Sequence, residues 1–233
     1  MKEFSNKYIF IFSALMVIVV ATLLSLAATL LQPRQLKNLE IEKKRSMLES
    51  IGIASTIQTT EILYDKYIKE SFVIDSKGET VAGIDAFNVV LNIEHKKPAE
   101  EQYLPVFNAV SDNGEKAIII PVEGKGLWGP LYGYVSLKTD MNTIYGVTFD
   151  HKGETPGLGA EINTTPFESM FIGKKLYEAD AFVSIGVLKG GAKKDDPHNV
   201  DAISGGTITS KGLQKMLLDC IGKYNDYFLK NRK

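Results

Sequence analysis

From Tyr8 to Leu31 the chain runs 24 residues without a charged side chain (YIFIFSALMVIVVATLLSLAATLL). As an α-helix this stretch extends about 36 Å, enough to cross a hydrocarbon core about 30 Å thick with some tilt. Tyr8, Phe10 and Phe12 stand at its start, where an interfacial aromatic belt belongs. Pro33 is expected to close the helix, because proline has no N–H to give to the preceding turn. A cleaved secretory signal has an apolar region of only about 7–15 residues followed by a small-residue cleavage site. This run is longer, and no such site precedes the charged segment after it. It reads as a retained single-span anchor over residues 1–33. The span holds no charged side chain, which argues against an ion path inside it.

Basic residues flank both ends: Lys2 and Lys7 before the span, Arg34, Lys37, Lys43, Lys44 and Arg45 after it. A simple positive-inside count puts the carboxyl side in the cytoplasm, but the rule is weak for long domains. The whole chain carries 27 basic and 28 acidic residues, a formal charge of −1. That balance excludes a general nucleic-acid binder, which shows a basic excess. Cys220 is the one cysteine. One thiol makes no internal disulfide, all-cysteine iron–sulfur site or cysteine-rich zinc site. If the chain carries electrons, an organic cofactor must do it. His95, His151 and His198 show no ligand spacing, so no metal site is predicted.

The fold class is α+β: a single N-terminal transmembrane helix followed by a mixed domain. Residues 34–70 form a membrane-proximal helical segment, with helices over Gln35–Ser50 and Thr56–Tyr67. Residues 71–233 form the α+β domain. Strands are predicted over Phe72–Asp75, Thr80–Ile84, Val89–Ile93, Leu104–Val110, Ala117–Val122, Tyr132–Leu137, Ile144–Asp150 and Phe182–Leu188. Turns at Ser76–Glu79 and Asp112–Gly114 separate neighbours. Phe167–Leu176 reads as a short helix. Lys211–Phe228 is the best amphipathic helix, with Leu213, Met216, Leu217, Cys220, Tyr224, Tyr227 and Phe228 on its core face.

Three glycine-rich stretches interrupt this pattern: Gly124–Pro130 with the only tryptophan, Gly153–Gly159, and Asp201–Ser210. In the third, adjacent Gly205 and Gly206 let the backbone approach a ligand, and Ser210 is placed to cap the helix at Lys211. A glycine loop entering a helix is a phosphate site or an ordinary helix-entry turn. It is not a Walker loop, and its glycine spacing does not match the dinucleotide fingerprint.

Asp201-x-x-Ser204-Gly205-Gly206-Thr207 resembles the flavinylation motif of FMN-binding domains, Asp-x-x-Ser/Thr-Gly-Ala-Thr, departing from it only at Gly206. The order of anchor, Gly124-Lys125-Gly126-Leu127-Trp128, Glu154-Thr155-Pro156-Gly157-Leu158-Gly159 and flavinylation motif is similar to the C-subunit family of the Na⁺-translocating NADH:quinone reductases, NqrC. The G subunit of the related Rnf complex is the alternative; it shares the anchor and the last two motifs. The Gly-Lys-Gly-Leu-Trp stretch and the long segment between residues 50 and 122 favour NqrC.

The resemblance implies an electron-carrying subunit with no catalytic residue of its own, inside a complex that oxidises NADH, reduces ubiquinone and exports Na⁺. One FMN is implied, bonded through its phosphate to Thr207 and installed from FAD by a flavin transferase that reads Asp201, Ser204, Gly205 and Gly206. Thr155, Gly157, Leu158, Gly159, Lys125 and Trp128 are the further implied contacts, with Leu158 against the isoalloxazine ring. The FMN-binding region is about 124–228. The implied partners are the other subunits of the complex, the B subunit above all, and membrane lipid. The implied location is the bacterial inner membrane, amino terminus cytoplasmic and flavin domain periplasmic, opposite to the charge count.

Plainer readings stand beside these. Thr155–Gly157 is also a good tight turn. Trp128 is either packing or flavin contact. Lys125 reads as a solvated charge, and Glu154 as surface charge although it neighbours His151. Cys220 reads as core. A competing class makes Thr207 the nucleophile of an anchored hydrolase, served by His198 and Asp201. A third is an anchored binding protein without flavin.

Overall fold

The computed structural model describes residues 5–232. The chain divides into two compact units, with the boundary between Lys43 and Lys44.

The amino-terminal unit lies on α1 (Asn6–Ser50), a single helix that continues into the second unit. The expected stop at Pro33 is absent, and the span and the membrane-proximal helix are one element. One interior proline costs about 3 kcal/mol. The residues after it are strong helix formers with Lys37–Glu40 and Arg45–Glu49 pairs one turn apart, each contributing about 0.2–0.5 kcal/mol, and the far end is held by Met47, Leu48 and Ile51 packed in the core. Inside the apolar run, the hydroxyls of Thr22 and Thr29 donate to the carbonyls of Ile18 and Ser25 on their own helix. Neither threonine hydroxyl needs an acceptor from outside its own helix.

In the second unit, α2 (Thr60–Tyr67) leads into β1 (Ile68–Ile74) and β2 (Thr80–Val81), then α3 (Leu91–Glu94). Four long strands follow: β3 (Leu104–Val110), β4 (Lys116–Lys125), β5 (Pro130–Lys138) and β6 (Ile144–His151). They form an antiparallel six-stranded sheet in the order β2-β1-β3-β4-β5-β6. Then come α4 (Thr165–Ser169), β7 (Tyr177–Glu178), β8 (Ala181–Phe182), β9 (Gly186–Leu188), β10 (Asn199–Asp201), α5 (Thr207–Gly222) and α6 (Asn225–Asn231).

The apolar run of β4 is nearly continuous because both sheet faces are covered. Ile118, Ile120 and Val122 face a core built with Leu213, Met216 and Leu217 of α5. Ala117 and Ile119 face the other core, with Met47, Leu48 and Ile51 at the end of α1 and Tyr67 of α2. There the Ser50 hydroxyl meets that of Ser136 on β5 at 2.6 Å, and the Thr148 hydroxyl of β6 donates to the Ser46 carbonyl at 3.0 Å.

Several predicted elements are corrected. Val89–Ile93 is not a strand: α3 forms there, and the Glu94 carboxylate accepts from Lys97 and the Tyr103 N–H. Phe182–Leu188 is broken between β8 and β9 by Ser184, which has φ +60°. Phe167–Leu176 shrinks to α4, with Gly173 at φ +80° beyond its end. The long terminal helix begins four residues early, at Thr207, and breaks at Lys223–Tyr224. There i→i−3 bonds tighten the chain, and the buried Tyr224 hydroxyl donates to the Pro105 carbonyl at 3.0 Å. The core face of α5 is the predicted one.

Candidate functional site

The three glycine-rich stretches converge. Leu127, Trp128, Glu154, Thr155, Leu158, Gly159 and the residues 205–209 line a hollow of about 230 Å³. The first stretch is the β4–β5 hairpin, closed by Gly126 N–H to the Gly129 carbonyl. The second is a turn in which Leu158 N–H returns to the Thr155 carbonyl at 3.1 Å. Pro156 fixes its second position, and Gly157 supplies φ +75° at its third, as a type II turn requires. The third joins β10 to α5.

Thr207 is the first residue of α5, not part of a loop before it, and Gly206 is the N-cap. Ser210 therefore does not cap from outside. It lies buried in the first turn, and its Oγ accepts the Ile203 N–H at 3.1 Å. Gly206 N–H donates to the Ile203 carbonyl, and Ser210 N–H to that of Gly206. Among the described residues no acceptor takes the N–H groups of Thr207, Ile208 and Thr209. The half-buried Thr207 hydroxyl makes no hydrogen bond there either. Three free N–H groups at a helix start, with the positive end of the helix dipole behind them, form an anion site. Gly205 has φ +74°, and a Cβ on it would run into the Leu158 side chain, so this close approach needs glycine. Around the hollow Leu127, Trp128, Leu158 and Ile208 are exposed apolar surface. An anion seat with apolar flanks fits a phosphorylated aromatic cofactor such as FMN.

Trp128, Thr155, Leu158, Gly159, Gly205, Gly206 and Thr207 thus meet. Ser204, Gly157, Lys125 and Asp201 do not line the hollow. Ser204 is exposed beside it. Gly157 N–H is turned to the Glu161 carboxylate at 2.9 Å. Lys125 is exposed at the end of β4. Asp201 accepts the Ala192 N–H at 2.6 Å, bracing the loop before β10. Trp128 is not core packing, being 69% exposed.

Glu154 is the largest correction. It is not surface charge: it is 4% exposed and lines the hollow. Burial pushes its pKa up, but hydrogen bonds from the Thr209 hydroxyl and the Trp128 and Leu127 N–H groups outweigh that and hold it below the ordinary value. Its partner in sequence, His151, uses Nδ1 to accept the Glu154 N–H. Thr209 and Ile208 were also invisible as site residues, since only the earlier start of α5 turns them into the hollow. The hydrolase arrangement is not assembled. His198 Nδ1 bonds the Lys175 carbonyl, Asp201 bonds Ala192, and neither reaches Thr207.

Comparison with known proteins places these features in a family. The FMN-binding domain family matches residues 126–222. The chain is 34% identical over 225 residues to the C subunit of the Na⁺-translocating NADH-quinone reductase of Vibrio anguillarum, covering 90% of this chain and 87% of that one. It is 32% identical to the C subunit from Pseudomonas aeruginosa, over 88% of this chain and 87% of that one. Its fold is similar to the crystal structure of the C subunit from Parabacteroides distasonis, with TM-score 0.78 and 40% identity over 85% of this chain and 96% of that one.

Proposed function

The chain belongs to the C-subunit family of the Na⁺-translocating NADH-quinone reductase, and we propose that its Thr207 carries FMN through a phosphoester and so serves as an electron relay within that complex. The family sets the coarse role, one part of a multi-subunit oxidoreductase with an FMN-binding domain, and favours it over the Rnf alternative. The observation that carries the attachment point is the unbonded Thr207 hydroxyl beside three free N–H groups at the start of α5.

In this reading the Thr207 hydroxyl takes the FMN phosphoryl from FAD, with release of AMP, under a flavin transferase. The N–H groups of Thr207, Ile208 and Thr209 hold the phosphate charge. Gly205 and Gly206 keep side chains out of its way. Trp128, Leu127, Leu158 and Ile208 give the ring apolar surface. Asp201 and Ser204, outside the hollow, are free to be read by the transferase. When bound, FMN supplies a centre that accepts electrons and passes them on. The chain contributes position, and it keeps the cofactor from dissociating during turnover.

The apolar span of α1 is long enough to cross a membrane. With it, the reading puts the chain in the bacterial inner membrane, amino terminus in the cytoplasm and flavin domain in the periplasm, handing electrons to the B subunit. The test is intact mass and peptide mapping of the full chain made with and without a flavin transferase. A gain of FMN minus water on the Thr207 peptide, absent in Thr207→Ala, is expected. No adduct on the wild-type chain beside an active transferase overturns the reading.

A further inference from the structure

Both oxygens of Glu154 are engaged by parts of the chain far apart in sequence. Oε1 accepts the Trp128 N–H at 2.9 Å, and Oε2 accepts the Thr209 hydroxyl at 2.5 Å. The Leu127 N–H also donates to the carboxylate. All three are donors, so they hold the group in its acceptor-only, ionised form. A carboxylate this buried is tolerated only with such a set of donors.

The glycines around it make the same point from the steric side. A Cβ on Gly126 would collide with Glu154 Oε1. A Cβ on Gly159 would collide with Glu154 Oε2 and with Thr209 Oγ1. Neither glycine has a positive φ, so what each supplies here is room and not a backbone conformation. They come from two different glycine-rich stretches, and the room each leaves is filled by one carboxylate. Trp128 itself has 69% of its surface exposed, so its ring does little to fix the hairpin tip. The N–H bond to Glu154 does.

We infer that Glu154 is a positioning residue of the flavin site, tying the Gly124–Pro130 hairpin, the Glu154–Gly159 turn and the first turn of α5 into one frame before the cofactor arrives. Thr209 is two residues beyond Thr207, so holding Thr209 holds the helix start that presents the attachment hydroxyl. The link to flavin rests on the reading of Thr207 given above; the frame is a property of the chain alone.

The experiment uses the full chain in detergent, made with and without the flavin transferase, as wild type, Glu154→Ala, Thr209→Val and Thr209→Ser. Trp128 is the only tryptophan, so its fluorescence anisotropy in the flavin-free chain reports the hairpin directly. Glu154→Ala and Thr209→Val are expected to lower that anisotropy, and Thr209→Ser, which keeps the hydroxyl, to retain it. In the loaded chain the first two are expected to shift the flavin midpoint potential while the third does not. Wild-type anisotropy and potential in Glu154→Ala that still melts cooperatively overturn the inference. If Glu154→Ala does not fold, the Thr209→Val and Thr209→Ser pair decides, and equal anisotropy in both overturns it. A wild-type chain that takes no flavin overturns the Thr207 reading instead, and the anisotropy comparison still decides the frame.

Discussion

The hollow at the start of α5 and the cleft beside β9 differ in size and in kind. The cleft is the larger, about 660 Å³, lined by Ser184, Lys193, Lys194, His198, Asn199 and neighbours. Several of its side chains are spent on the chain itself, although the buried Ser184 hydroxyl has no partner among the described residues. Asp196 accepts from Asn199 and the His198 N–H, and His198 bonds the Lys175 carbonyl. The hollow is about a third as large, yet it gathers three unclaimed N–H groups, a free hydroxyl and exposed apolar side chains. Volume does not identify a binding site here. What sets the hollow apart is a row of unspent backbone donors, with glycines that let a ligand reach them.

The comparison can be broken from either side. The largest effect is expected at the helix start, where Thr207→Ala should abolish covalent flavin while His198→Ala, in the cleft, leaves it at the wild-type level. In-gel flavin fluorescence measures both, and a dependence on His198 would move the chemistry to the cleft. Next comes Gly205→Ala. It forces a side chain into φ +74° and against Leu158, a penalty of about 1–2 kcal/mol. A thermal midpoint lowered by several degrees and weaker flavin loading are expected; unchanged melting would show that the turn relaxes. Leu158→Ala should keep flavin attached but shift its absorption or midpoint potential, and an unshifted flavin would remove Leu158 from the ring's surroundings.

The smallest effect lies away from both hollows. Glu168 accepts the Phe149 N–H of edge strand β6 at 2.8 Å. Burial, with Glu49 and Asp150 adding negative charge, pushes its pKa from 4.5 up to about 7 despite that bond. Between those values the folded chain holds a proton that the unfolded chain releases, so this group's contribution makes stability fall as pH rises. Glu168→Gln should flatten that part of the melting-temperature profile between about pH 4.5 and 7. An unchanged slope would assign it to another group.

What was legible in the sequence follows from how local each signal is. The core face of α5 rests on spacing within one helix, and β3 on a β-type run closed by the Asp112–Gly114 turn. Both appear as expected. The Asp201–Thr207 stretch stands out through its likeness to a flavinylation motif, and its Gly205, Gly206 and Thr207 line the hollow while Asp201 and Ser204 do not. Pro33 misleads because the propensity of one residue leaves out the helix formers and the packed helix end that follow it. Val89–Ile93 misled because an apolar run says nothing about whether a sheet edge is open to it. Glu154 was unreadable: its burial depends on Thr209, 55 residues on, and on room left by Gly126 and Gly159. Its one sequence signal was a lone carboxylate at the head of a glycine-rich turn.

The way α1 ends decides where the molecule can be cut. Met47, Leu48 and Ile51 are core residues of the sheet's second face, and Ser46 and Ser50 bond to β6 and β5. A water-soluble form trimmed at the visible end of the helix would lose Met47 and Leu48, each worth about 2–5 kcal/mol of packing. It would also uncover an apolar sheet face, a surface that invites aggregation. The cut belongs before Lys44, so the shortest trimmed form keeps the last two turns of the long apolar-headed helix α1 as part of the interior of the FMN-binding unit.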